Sequence, residues 1–236
     1  MSLTSKQGQA NSMSFGKAQE DFNNKFQQMM AEKRKQVNSR LVLGVWGHPK
    51  TGKTGIALDF PDRPIYVLDW DKGVESTWRE HHEATERIQV YCPIEMNKDN
   101  VIDITKSEDN SHMFIKYVRS KIEEGEKPVF VLDGVDTWLD SCILKINPNP
   151  TLVTKVMPYQ YGARNKTFYH LLDSIYLLDC DVIYITHETE KYQDGSPVGM
   201  IANWKDWGGK LEQEIHCSRK KVKGEMHYLA ELVGSR

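Results

Sequence analysis

The sequence predicts an α/β domain with a mostly parallel sheet, preceded by a helical arm and closed by a β-hairpin. Three observations carry that expectation. From Arg40 onward short apolar runs recur along the chain, their apolar character is continuous, and polar stretches of helical character separate them. A strand covered on both faces needs apolar side chains on both faces, and a continuous run supplies them. Strands that alternate with helices are joined by right-handed crossovers, which align them in parallel.

Taken in chain order, residues 1–39 are rich in Gln, Asn, Ser and Lys and contain no proline, so they read as an extension ahead of a domain spanning 40–236. Within it Phe15, Ala18, Phe22, Phe26 and Met29 recur at steps of three and four, which predicts one stripe of a helix running through about Val37. That stripe covers either an apolar patch of its own domain or a neighbouring subunit. Buried strands follow at Leu41–Trp46, Pro64–Trp70, Arg87–Cys92, Pro128–Gly134 and Asp181–His187, with helices at Lys53–Leu58, Ser111–Glu124 and Tyr161–Leu178. Beyond Ile201, Lys223 and Gly224 sit between two strand-like runs as a hairpin turn would.

Composition bounds the function. The chain has 236 residues, with 31 Lys and Arg against 33 Asp and Glu, so a net charge of -2 gives no global signature of polyanion binding. Nucleic-acid contact would need a local patch. The four cysteines lack CxxC spacing, which argues against both a disulfide scaffold and a zinc site, so no structural metal is expected. No apolar run is long enough for a bilayer span and the first residues lack a secretory core, which predicts a cytoplasmic protein, or one of a host cytoplasm, without membrane association.

The strongest motif is Gly47-His48-Pro49-Lys50-Thr51-Gly52-Lys53-Thr54, a GxxxxGK[ST] pattern directly after one strand and opening a helix with Gly55. The chemistry requires this order. Glycines let backbone N–H groups wrap phosphates at a helix N-terminus, Lys53 reaches the outer phosphate oxygens, and the Thr54 hydroxyl coordinates Mg²⁺. Asp133, closing a buried strand, is expected to hold the Mg²⁺ shell. Asp69 and Asp71 end another strand on one face, and Asp71 is the candidate for activating water, with Glu75 in reserve. His187 arrives at the same sheet edge and could sense the outer phosphate.

With these elements in order, residues 40–190 resemble the RecA/RadA recombinase core, and more narrowly the small RecA-like ATPases of bacteriophages. GHPKTGKT is similar to the archaeal-type recombinase loop, VLDWD to the strand whose second acid activates water, VFVLDGVDTW to the metal-binding strand, and VIYITHETEK to the strand whose terminal Gln or His senses nucleotide. YGARNKTFYHLLDSI looks like the helix before that strand in the phage group. The family more often has Glu where Asp71 stands. The resemblance implies ATP and Mg²⁺ as cofactors, ATP hydrolysis coupled to single-stranded DNA in recombination, annealing or replication, and assembly into a ring or filament. Phe15-Gly16-Lys17-Ala18 has the Phe-x-x-Ala form by which archaeal-type recombinases link protomers.

In such proteins DNA is held by two mobile loops, which correspond here to about Asn147–Arg164 and Glu188–Trp207. These carry Lys155, Tyr159, Tyr161 and Arg164, and Lys191, Tyr192, Trp204, Lys205 and Trp207. Aromatic faces stack on any base and cations follow the backbone, although the tryptophans fit a core and the lysines a solvated surface equally well. The basic run Arg219–Lys223 suits either a phosphate contact or a hydrated hairpin. Two rival functions stay open: a phosphotransferase acting on a small molecule, and a nucleotide-switched assembly protein without DNA activity.

Overall fold

A computed structural model describes residues 19–30, 40–60, 62–81, 86–148, 160–204 and 206–235. The chain divides into two units, Met1–Arg40 and Leu41–Arg236. In the first, residues 19–30 form helix α1, on which the Phe22 and Phe26 rings stack with centroids 6.3 Å apart. Phe15, Ala18 and the stretch toward Val37 lie outside the described residues.

The second unit is built on strands β1 (Val42–Gly47), β2 (Ile65–Asp69), β3 (Ile88–Tyr91), β4 (Val129–Asp133), β5 (Asp181–Gln193), β6 (Ser196–Ala202), β7 (Gln213–Val222) and β8 (Glu225–Ser235). Their order is β3-β2-β4-β5-β1-β7-β8, with β6 paired to β5 off this path. Every pairing from β3 through β7 is parallel, and β7–β8 and β5–β6 are antiparallel. The α/β, mostly parallel expectation therefore holds. Helices α2 (Lys53–Leu58), α3 (Val74–His81), α4 (Ile104–Glu123), α5 (Val135–Ser141) and α6 (Tyr161–Tyr176) connect the strands.

The continuous apolar runs divide between two cores by side-chain alternation. Tyr66, Leu68, Phe130, Leu132, Val182 and Tyr184 face one side, where α4, α5 and α6 bring Val118, Trp138 and Phe168. Leu43, Val45, Ile65, Val67, Val131 and Ile183 face the other, against Ala57 and Leu58 of α2 and Val74 of α3. Each fully buried large side chain contributes about 1.5–3 kcal/mol. Among the described residues no helix is long and apolar enough to cross a membrane.

Several elements differ from expectation. The stretch expected as a mobile loop from Glu188 is instead a β-hairpin, because β5 runs on to Gln193 and β6 returns antiparallel beside it. Its turn, Asp194-Gly195, has positive φ at both positions (51° and 80°), which matches the twist of a two-residue hairpin. Among the described residues no core covers the outer part of this arm, which is exposed from Glu190 to Met200, so it lacks the apolar run that marks a buried strand. Trp204 and Trp207 belong to the core, 4% and 2% exposed, and not to a base-stacking surface. Helix α4 starts at Ile104, ahead of the expected Ser111, because the Asp103 side chain accepts from Lys106 N (3.2 Å) and caps it there. The β7–β8 turn falls at Lys223-Gly224 as expected, again with positive φ (51° and 93°).

Candidate functional site

The phosphate loop begins where β1 ends. Gly47 has φ 150°, and a Cβ there would lie 2.0 Å from the Cys217 carbonyl oxygen of β7, so no larger residue fits. Gly52, at φ 86°, turns the chain into α2 from a left-handed conformation. The loop is braced from within: Thr51 Oγ1 donates to His48 O (2.8 Å), and Lys53 Nζ donates to Gly47 O and His48 O (both 3.0 Å). Lys53 is buried, and burial lowers its pKa against the opposing pull of Asp133. Thr54 Oγ1 donates to Asp133 Oδ2 at 2.8 Å.

Parallel registry sets the acids side by side, Asp69 of β2 opposite Asp133 of β4. Burial, then the nearby Asp71 and Asp69, push the Asp133 carboxyl up to about 7. Burial also raises Asp69, whose Oδ2 accepts from Val74 N (3.2 Å) and fastens the start of α3. Asp69 thus serves α3 and lines a separate depression with Glu75. Glu75 pairs with Arg79 on the exposed side of α3 and does not line the phosphate-loop cleft. Asp71 does line it. Thr137 of α5 donates its hydroxyl to Asp71 Oδ1, and Gly134, at φ 91°, leaves room for that carboxylate, which a Cβ would meet at 2.7 Å.

His187 reaches the same cleft, 3.8 Å from Asp71 Oδ2, and its Nδ1 donates to Asp136 Oδ2 at 2.9 Å. Asp136 Oδ1 also accepts from His187 N (3.3 Å) and from Thr186 Oγ1 (3.1 Å). The bond to Asp136 raises the His187 pKa; burial works against Asp136, but the hydrogen bond and charge of His187 hold its carboxyl below the usual range. Sequence reasoning missed Asp136 and Thr137. The available signal was their place in VLDGVDTW, one turn beyond Asp133, where a helix leaving the sheet edge must face the cleft.

The cleft measures about 630 Å³ and is lined by Pro49, Lys50, Thr51, Gly52, Lys53, Thr54 and Gly55 together with Asp71, Asp133, His187 and Tyr228 of β8. Its volume falls within the range of small-molecule sites. The hydroxyl of Thr54 and the carboxylate of Asp133 form a hard-oxygen pair of the kind that holds Mg²⁺, and the crowded acids around Asp133 are a repulsion that a dication relieves. These residues fit a Mg²⁺-nucleotide. Gly47 shapes the loop from behind, and His48 lines a second depression with Thr51, Glu188 and His216.

The residues expected to touch DNA are dispersed over different elements. Arg164, on α6, lies 4.7 Å from the Tyr161 ring centroid and donates to Asn165 Oδ1. Lys191 and Tyr192 are exposed on the outer part of β5, where the Tyr192 hydroxyl donates to Glu190. Lys205, Lys155 and Tyr159 lie outside the described residues. Arg219, Lys220, Lys221 and Lys223 are exposed on the β7–β8 hairpin.

Among solved structures, a KaiC-like protein from the hyperthermophilic archaeon Pyrococcus horikoshii is similar, with 12% identity, a TM-score of 0.46, and coverage of 82% of this chain and 79% of that one. No curated protein matches the sequence. The AAA domain family matches residues 39–235, which take in the whole described α/β unit, and the chain belongs to that family.

Proposed function

We propose that this protein is a Mg²⁺-dependent ATP hydrolase of RecA-like type whose nucleotide state governs binding of single-stranded DNA and association with further copies of itself. The observation that carries the reading is the convergence of Lys53, Thr54, Asp71, Asp133 and His187 on one cleft at the C-terminal edge of a parallel sheet. Bound Mg²⁺ supplies neutralisation of phosphate charge. The amides around Gly52 and the N-terminus of α2 bind the phosphates, and Lys53 exchanges its loop carbonyls for phosphate oxygens. Thr54 and Asp133 hold the ion's oxygen shell. Asp71, steadied by Thr137, takes the proton of the attacking water.

His187 connects this chemistry to the exterior. It stands where β5 leaves the sheet, and the next residues form the exposed arm bearing Lys191 and Tyr192. A cation beside an exposed aromatic suits single-stranded nucleic acid. Self-association is supported by β8, which ends the strand order and exposes Tyr228, Leu229 and Leu232. Phosphate release measured with and without single-stranded DNA tests the reading: the rate rises with DNA and is abolished by Lys53→Ala. A rate indifferent to DNA removes the DNA half, and transfer of phosphate to a small molecule without release to water replaces hydrolysis by a phosphotransferase.

A further inference from the structure

Away from the cleft, helices α4 and α6 pack together and bring three metal-ligating side chains to one place. Glu108 and His112 are one turn apart on α4, so they project from the same side of that helix. His170 comes from α6, and its ring centroid lies 4.7 Å from that of His112, the two planes inclined by 55°. One ligand atom from each of Glu108, His112 and His170 falls within 4.8 Å of the others. We propose that these three residues form a binding site for a divalent transition metal of the zinc class, clipping α4 to α6.

The chemistry of each ligand supports this. His112 has a buried Nε2 with no hydrogen-bond partner among the described residues. A buried unsatisfied nitrogen is costly, and a metal ion satisfies it. Glu108 divides its two oxygens: Oε2 forms an ion pair with Lys145 Nζ at 2.9 Å, while Oε1 lies 3.7 Å from His170 Nδ1. Lys145 therefore leaves Oε1 to the metal and orients the carboxylate from outside, as partners of metal-bound carboxylates do.

A tetrahedral zinc ion holds its ligand atoms roughly 3.4 Å apart, so side-chain adjustments of about an ångström close the site. His170 is 64% exposed, which leaves the fourth position to water and gives the ion a path in. Imidazole with carboxylate favours zinc over magnesium or calcium, which prefer all-oxygen shells. The sequence expectation of no structural metal was drawn from cysteine spacing alone, and histidine and glutamate ligands on two helices leave no mark in that spacing.

The test is zinc titration of the full chain, stripped with EDTA, against a chromophoric chelator, with melting curves recorded in parallel. The wild type binds an equivalent of Zn²⁺ that His170→Ala and His112→Gln each lose, with affinity falling at least about tenfold, while His187→Ala in the nucleotide cleft retains it. Saturating Zn²⁺ raises Tm by about 4 °C or more in the wild type and not in His170→Ala. His170 is exposed, so its variant folds and keeps the comparison valid should His112→Gln not. Absence of a zinc equivalent, or one retained in His170→Ala or lost only in His187→Ala, overturns the proposal.

Discussion

Strand β5 joins two regions governed by different physics. From Val182 to Thr186 it is buried between β4 and β1, and at its end Asp136 and His187 satisfy each other within a network that also holds Asp71. From Glu190 to Gln193 the same strand is exposed and, among the described residues, paired only to β6, with Tyr192 60% accessible. The inner half holds chemical groups rigidly, as catalysis requires. The outer half is solvated. Under the proposed function it is the part that meets nucleic acid, carried on the strand that brings His187 to the cleft.

That comparison can be broken at several points. Trp207→Ala should cost about 3–5 kcal/mol in urea unfolding, since it removes a buried ring from the core, whereas Tyr192→Ala should move stability by less than about 0.5 kcal/mol. Equal effects would contradict the division of the 188–207 stretch into core and arm. Lys53→Ala should lower steady-state phosphate release by about 10²- to 10³-fold, the loss expected when one preorganised charge at the transferring group is removed.

The pH dependence of stability sharpens the electrostatic half. Asp133 keeps its proton up to about 7 in the folded chain but releases it near 3.8 when unfolded. Between those values the folded state binds more protons, so stability falls as pH rises from about 4 to about 7, by about 4 kcal/mol, and levels off above. Unfolding in EDTA across that range should show a slope that Asp133→Asn flattens and that Mg²⁺ with nucleotide reduces.

Smaller effects belong to the arm and its junction. Tyr192→Ala should weaken single-stranded DNA binding about tenfold, as loss of one stacking platform does, with nucleotide affinity unchanged. Asp136→Asn should leave nucleotide binding nearly intact while reducing DNA stimulation of phosphate release several-fold, because His187 loses its charged partner. Unaltered stimulation would show that the junction does not run through Asp136.

The parts of the molecule that were readable from the sequence are those fixed by local rules. The phosphate loop is legible because Gly47 and Gly52 answer to backbone constraints, and Asp133 because a buried strand has few reasons to end in an acid. Asp136 and Thr137 escaped because their partners, His187 and Asp71, are distant in sequence and meet only through sheet registry. Glu75 was a plausible reserve by spacing alone, yet helix rotation carries it to the side occupied by Asp69 and Arg79. The β5–β6 arm escaped because solvated strands carry no apolar run, and Trp204 and Trp207 were ambiguous because interleaved aromatics and lysines describe a core edge as well as a nucleic-acid surface.

The central claim is that the cleft between the phosphate loop and Asp133 holds Mg²⁺ and a triphosphate. Calorimetric titration of ATP into the full chain, with Mg²⁺ and then with EDTA, on wild type, Lys53→Ala and Asp133→Asn, tests it most directly. One site per chain is expected in the wild type, tightened by Mg²⁺, with affinity lost in Lys53→Ala and the Mg²⁺ effect lost in Asp133→Asn. No binding to the wild type, or equal binding by all three proteins, would contradict it.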